Sequence, residues 1–314
     1  MPSAATHYLF AKKTITELKT PLAFIKTEEL QQVCYVGAQG PDPLFFYGQV
    51  PFSKRSRKKE VRSVGSYLHD HKMAQKFNEM IDYANNQEGN QRDVLFAYIF
   101  GAMLHYCLDR VAHPFIFYRS GFDENGTLTK HSYYHALYES YIDYLLESNL
   151  GIKLNTKDCI IANKAMISLV STMYANNENL QNEDFYNSWK DMKTCEAFLK
   201  DKHGFKRWLF RKMGKQISQP YSMIKPNKND LHLDFLNLER NIYKNPQTLE
   251  KHQHSFIELF NNAIQDTKNI VKIMKKAYNK EDVSEEVISY CDDISYNGTK
   301  ENAIMVEYQS IFNE

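Results

Sequence analysis

The chain of 314 residues has only five cysteines, an odd number, widely spaced and without a CxxC pair. That excludes a disulfide framework or a cysteine-type zinc site as its organising element, and a reduced, cytoplasmic protein is the expectation. Glycine and proline are also scarce, at 12 and 9, which argues against an all-β protein built from many tight turns. Neither sign of charge dominates. Lys plus Arg is 39 and Asp plus Glu is 38, for a formal charge of +1. No electrostatic case exists for a bulk nucleic-acid binder. No stretch approaches the ~18 continuous apolar residues of a membrane span. The start, MPSAATHYLF, has no basic stretch followed by an apolar run, so no secretory signal is expected. Alternating strand runs, fixed-period repeats and low-complexity linkers are all missing.

What is present is helical periodicity. Leu68, Met73, Phe77 and Ile81 recur at helical spacing. Residues 92–114 are apolar on several faces, which predicts a central helix buried by its neighbours and ending at Pro114. Residues 128–151 predict a second strong helix closed by Gly151. NTKD offers a cap before a helix over 157–176, and further helices are expected within 182–201, 204–217 and 230–243. The stretch 247–280 is long and amphipathic. The reading is an all-α, multi-helix bundle with a metal site between central helices. Residues 1–150 form the metal-binding core, and 151–314 a helical extension or subdomain of the same bundle.

Histidine carries the chemistry. Seven of the eleven lie within the first 135 residues. His105, Asp109 and His113 are spaced i, i+4, i+8, and each step of four turns ~400°, so all three share one stripe of a helix. His131, His135, Glu139 and Asp143 repeat the step on the next helix. Consecutive helices in a bundle tend to be antiparallel neighbours, so the two stripes can face each other. Buried imidazole and carboxylate are costly unless paired or bound to metal, and both are good zinc ligands. His105 and His113 are about 12 Å apart along the axis, too far for one ion, so two or more ions are implied. A lone HxxxD or HxxxE is usually a surface pair. Two of them on apolar helices favour metal. His131 and Asp143 are expected to be structural.

These residues also match a known pattern. ATHYLFA (5–11), GPDP (40–43), SYLH (66–69), HYCLDRVAHP (105–114) and HALYE (135–139) occur in an order that resembles the zinc-dependent phospholipase C family. The resemblance covers roughly residues 1–150. It implies an all-α fold and a cluster of two or three zinc ions. The first site would be His69, His105 and Asp109, and the second His113, His135 and Glu139. The third would use His7, with Asp109 bridging. Asp42 falls where the family has an aspartate beside the metal-bound water, a candidate general base. The implied function is zinc-dependent hydrolysis of phosphoester bonds, with a phosphodiester or phospholipid as substrate and metal-activated water attacking phosphorus.

Three other readings compete. The dipeptide His69-Asp70 is similar to the ligand pair of HD-type phosphohydrolases, single-strand nuclease action uses related chemistry, and a non-catalytic helical protein would hold its metal structurally. His71 is expected to be an exposed neighbour, and Cys107 to be packed away from the ligand stripe. HQH (252–254) is expected on an amphipathic helix, its residues diverging. Phe45, Phe46, Tyr47, Phe115, Phe117 and Tyr118 flank the motifs, with core packing expected for most. The basic run KRSRKK (54–59) is expected to be a solvated loop.

Overall fold

The computed structural model describes residues 4–50, 52–123, 131–151, 158–201, 203, 205–212, 224–300 and 304–312. Helices α1 (Ala4–Glu17), α2 (Glu28–Gly37), α3 (Lys58–Asp70) and α4 (Ala74–Asn85) precede the long apolar segment, which forms α5 (Gly89–Ser120). Helix α5 is buried all round over Val94–Asp109 and is the axis of the bundle. By length and apolarity α5 could cross a membrane, yet 89% of its most apolar window is buried inside the protein. Helices α1, α2, α4 and α10 (Phe256–Tyr278) all pack on it.

The remaining helices are α6 (Ser132–Leu150), α7 (Lys164–Asn177), α8 (Asp184–Leu199), α9 (Phe205–Lys212) and α11 (Ser284–Cys291). Gly151, in the left-handed conformation, ends α6. The helix expected over 157–176 is instead a 3-10 turn at Asp158–Ile160 followed by α7, capped by Asn163. The NTKD cap and residues 213–217 lie largely outside the described residues. Residues 230–243 form turns rather than a helix, because Asn237 and Arg240 take left-handed backbone and the Asp234 carboxylate accepts from the Leu238 and Glu239 amides. Residues 243–252 form a small hairpin, β1 (Tyr243–Lys244) with β2 (Lys251–His252). HQH therefore lies in that hairpin and the following loop. Helix α10 begins only at Phe256, behind a capping box of Ser255 and Glu258.

Helix α5 does not stop at Pro114 but runs six residues further. The proline leaves the Arg110 carbonyl without its usual donor. The helix survives because a turn near the C-terminus fills the notch. Gly298 lies there with φ +68°, and a β-carbon on it would sit 2.4 Å from the Arg110 oxygen and 2.7 Å from the Pro114 ring. Left-handed backbone costs a non-glycine residue about 1–2 kcal/mol before any clash. Gly298→Ala should therefore lower the melting temperature by several degrees. An unchanged melting curve would show that the turn moves aside without cost.

The basic run 54–59 is less solvated than expected. Arg55 pairs with Asp191 at 2.7 Å and Arg57 pairs with Asp184, tying this loop to α8. All five cysteines are buried thiols. Cys107 faces the α10 carbonyl of Ala263, away from the histidines.

Candidate metal centre

Helix α5 presents His105, Asp109 and His113 on one side, all buried. Helix α6 presents His135 and Glu139 opposite, and α1 and α3 add His7 and His69. Asp42 arrives on the turn that follows α2. Gly40 has φ +53° and lies flat on the His105 imidazole, where a β-carbon would approach ring carbon Cδ2 to 2.3 Å. Pro41 then starts the 3-10 turn Asp42–Phe46 with the aspartate as its first residue. Glycine lets the chain pass over a ligand ring, and proline fixes the backbone that aims Asp42.

The eight residues fall into three groups of possible ligands: His7, His105 and Asp109; Asp42, His69 and His105; and His113, His135 and Glu139. His105 belongs to two of them. The two Asp109 oxygens point to different neighbours, Oδ1 3.1 Å from His7 Nε2 and Oδ2 2.9 Å from His105 Nε2. Asp42 Oδ1 is 2.9 Å from His69 Nε2, so this carboxylate lies within a ligand group, not beyond it. His135 Nε2 is 3.0 Å and His113 Nε2 3.6 Å from Glu139 Oε1.

These close approaches are not ordinary hydrogen bonds. Asp42 Oδ1 and Oδ2, Asp109 Oδ2, His69 Nε2 and His105 Nε2 are buried without a hydrogen-bond partner. Buried polar atoms in that state are costly. With ligand bonds of ~2.0–2.1 Å, two ligands of a tetrahedral zinc stand about 3.3 Å apart. The observed separations are near that edge length, and the donor atoms of each group all lie within 4.8 Å of one another. A small cavity of about 20 Å³, lined by His7, Asp109 and Glu139 among others, has room for one water-sized occupant.

The far nitrogens of three imidazoles support the same reading. Nδ1–H of His69 donates to the Gly65 carbonyl at 2.8 Å, that of His105 to Ala38 at 3.0 Å, and that of His113 to Tyr296 at 2.7 Å. A carbonyl only accepts, so each Nδ1 carries the proton and each Nε2 keeps its lone pair for the centre.

Charge is tuned to match. Burial alone would raise the Asp109 carboxyl, but His105, His113 and His7 outweigh it and hold it well below the carboxylate range. Burial likewise opposes ionisation of Glu139, and His135 helps hold it well below that range. Burial disfavours the His113 cation, yet Asp109 and Glu139 push it up to about 9. His135 moves down, chiefly by burial. The centre thus keeps its carboxylates ionised and attracts positive charge, and its nitrogen and oxygen donors suit zinc.

The sequence-derived residues outside these groups have other work. Asp143 accepts from the Thr6 amide at 2.7 Å, the Thr6 hydroxyl at 2.6 Å and the Ala5 amide at 3.3 Å. It pins the first turn of α1 to α6, and so places His7. Asp143→Ala should cost roughly 2–3 kcal/mol of stability, typical for buried hydrogen bonds to a charged group. It should also weaken zinc retention. A variant with parental zinc content would show that α1 docks without it. His131 lies 3.9 Å from Asp123, and His71 stacks on Tyr67. Asp70 accepts from Asn297 at 2.8 Å and is in none of the three ligand groups found among the described residues. Among the flanking aromatics, Phe45 lies 5.1 Å from His69 and Phe117 4.9 Å from His135, whereas Phe115 packs in the core against Tyr138 and Tyr243.

One residue of the centre escaped sequence reasoning. Tyr296 is buried, with its ring 5.3 Å from His69 and 5.2 Å from His105. It comes from a segment with no periodic signal, and only its partner, the His113 imidazole, could have pointed to it.

An α-helical bundle with buried histidine and carboxylate groups on its central helices defines a candidate metal-binding protein with three possible ligand groups. A family model described as zinc dependent phospholipase C matches residues 6–197. The chain belongs to that family. Membership supports zinc as cofactor and hydrolysis of phosphoesters as the activity. Searches of curated proteins and of solved structures give no significant match.

Proposed function

We propose that the protein is a zinc-dependent phosphodiesterase that cleaves a phospholipid head-group ester, as a phospholipase C does. The observation that carries this reading is the pair of ligand stripes on α5 and α6, which meet where His113 joins His135 and Glu139. The stripes place neighbouring ligand groups along α5, an arrangement that suits the two non-bridging oxygens of a phosphodiester, which share its single negative charge. Bound zinc would supply Lewis acidity toward those oxygens and lower the pKa of water. His69, His105, Asp109 and Asp42 would hold one ion, and His113, His135 and Glu139 another. His7 would complete a third position with Asp109.

The chain's own chemistry is positional and basic. The Gly65, Ala38 and Tyr296 carbonyls keep three imidazoles in the ligating tautomer. Phe45 and Phe117 pack against the His69 and His135 rings and help hold them in place. In this reading one Asp42 oxygen accepts the proton of the attacking water.

A substrate panel tests the reading. Zinc-loaded protein should hydrolyse phosphatidylcholine faster than single-stranded DNA or nucleotide monophosphates. Preference for DNA would make it a nuclease. A fully zinc-loaded protein inert toward all three would make the metals structural. Asp42→Asn should abolish turnover, and counting zinc in that variant separates the base from the ligand role. Retained zinc with lost turnover identifies the base, whereas full activity removes Asp42 from the chemistry.

A further inference from the structure

The segment that closes the metal centre lies about a hundred residues beyond the family region, which ends at residue 197. It is the turn Ser295–Gly298, closed by the Gly298 amide donating to the Ser295 carbonyl at 3.0 Å. Helix α5 holds it in place. The Tyr106 hydroxyl donates to the Ile294 carbonyl at 2.8 Å, and Gly298 fills the Pro114 notch. Asn297 donates to Asp70 at the end of α3. The turn is therefore fixed to both helices that carry His69 and His105.

This fixed turn delivers Tyr296. Its carbonyl is used by His113, but no hydrogen bond reaches its hydroxyl among the described residues. The side chain is 99% buried, with 1% of its surface exposed. Buried tyrosine hydroxyls usually have a partner. The ring packs on the imidazoles of His69 and His105, with centroids 5.3 and 5.2 Å apart. It is a donor on a ring packed against two imidazoles of the candidate centre, with no acceptor among the described residues.

We propose that the Tyr296 hydroxyl donates a hydrogen bond to a phosphoryl oxygen of the group bound at the metal centre. The proposal rests on the phosphoester reading above and adds a binding residue from outside the family region. A phosphoryl oxygen is a strong acceptor, and a phenol is protonated at neutral pH. Bound zinc would offset the charge of the phosphate, while the phenol fixes the orientation of one oxygen.

The test compares the zinc-loaded parent with Tyr296→Phe, which removes one atom and keeps both ring and carbonyl. Zinc per chain is measured by elemental analysis, and inorganic phosphate binding by calorimetry. The expected result is unchanged zinc with phosphate affinity weakened about tenfold or more, typical of a lost bond to a charged group. Equal phosphate affinity overturns the proposal, and so does loss of zinc, which would make the hydroxyl part of the metal site. A zinc-loaded parent that does not bind phosphate overturns the phosphoester reading itself. A second readout does not depend on the variant. Fluorotyrosine placed at 296 in the full chain should show a fluorine resonance that shifts on adding phosphate to the zinc-loaded protein. A resonance that stays fixed overturns the assignment.

Discussion

Asp109→Asn should lower phosphodiester turnover by about a thousandfold or more and remove at least one zinc per chain. Asp109 is the only carboxylate among the described ligand groups whose two oxygens face different histidines, His7 and His105. His113 Nδ1 is also 3.8 Å away. An amide keeps the shape but loses the charge and replaces one oxygen with an N–H donor. That donor would point at an imidazole lone pair or an ion. Lewis-acid stabilisation of the phosphoryl transition state is worth several kcal/mol, and each 1.36 kcal/mol is a factor of ten in rate. Loss of one ion therefore reaches about three orders of magnitude. Elemental analysis beside steady-state kinetics checks the prediction. Parental zinc with parental turnover would remove Asp109 from the centre.

Chelation should lower the melting temperature by on the order of 10 °C. A ligand at a thousandfold excess over its dissociation constant stabilises by about 4 kcal/mol, and each kcal/mol is worth ~2–4 °C in a protein of a few hundred residues. The loss should grow with pH. In metal-free protein His113 is raised to about 9, above the ~6.5 of an unfolded histidine. Its contribution is complete below the unfolded value and is lost as pH rises through the folded one. Asp109 and Glu139 are held low, so their contribution is present above the usual carboxylate range and is lost in acid. Metal-free protein should thus be firmest between about pH 5 and 6.5. Zinc, which needs neutral His113, should stabilise most at about pH 8–9. Melting curves with and without chelator across that range decide it. An identical melting temperature with and without zinc would show that the ions do not support the fold.

The residue types of the candidate centre were legible because a helix writes its face into sequence at steps of four. His105, Asp109 and His113 declare a common side, and His135 and Glu139 another. Glycine after α6 and the apolarity of α5 were equally local signals. Pro114 was not legible as a residue inside the helix, because the Gly298 turn packed against it is almost two hundred residues away in the chain. Residues 230–243 are the converse case. Their apolar spacing suits a helix, but the Asp234 carboxylate captures backbone amides and the chain turns.

By itself, then, the sequence determined an all-α bundle and a set of imidazoles and carboxylates on two helices, because both follow from short-range periodicity and the cost of burying polar groups. Tertiary structure decided the grouping of those ligands. It drew Asp42 in beside His69, and it joined His7 to His105 through Asp109. Asp143 was given the task of anchoring α1, and Tyr296 was set against two ligand rings. The physical reason is that a metal centre is defined by distances of a few ångströms between atoms whose sequence separation carries no information. Only the packing of α1, α2, α3, α6 and the C-terminal turn on α5 sets those distances.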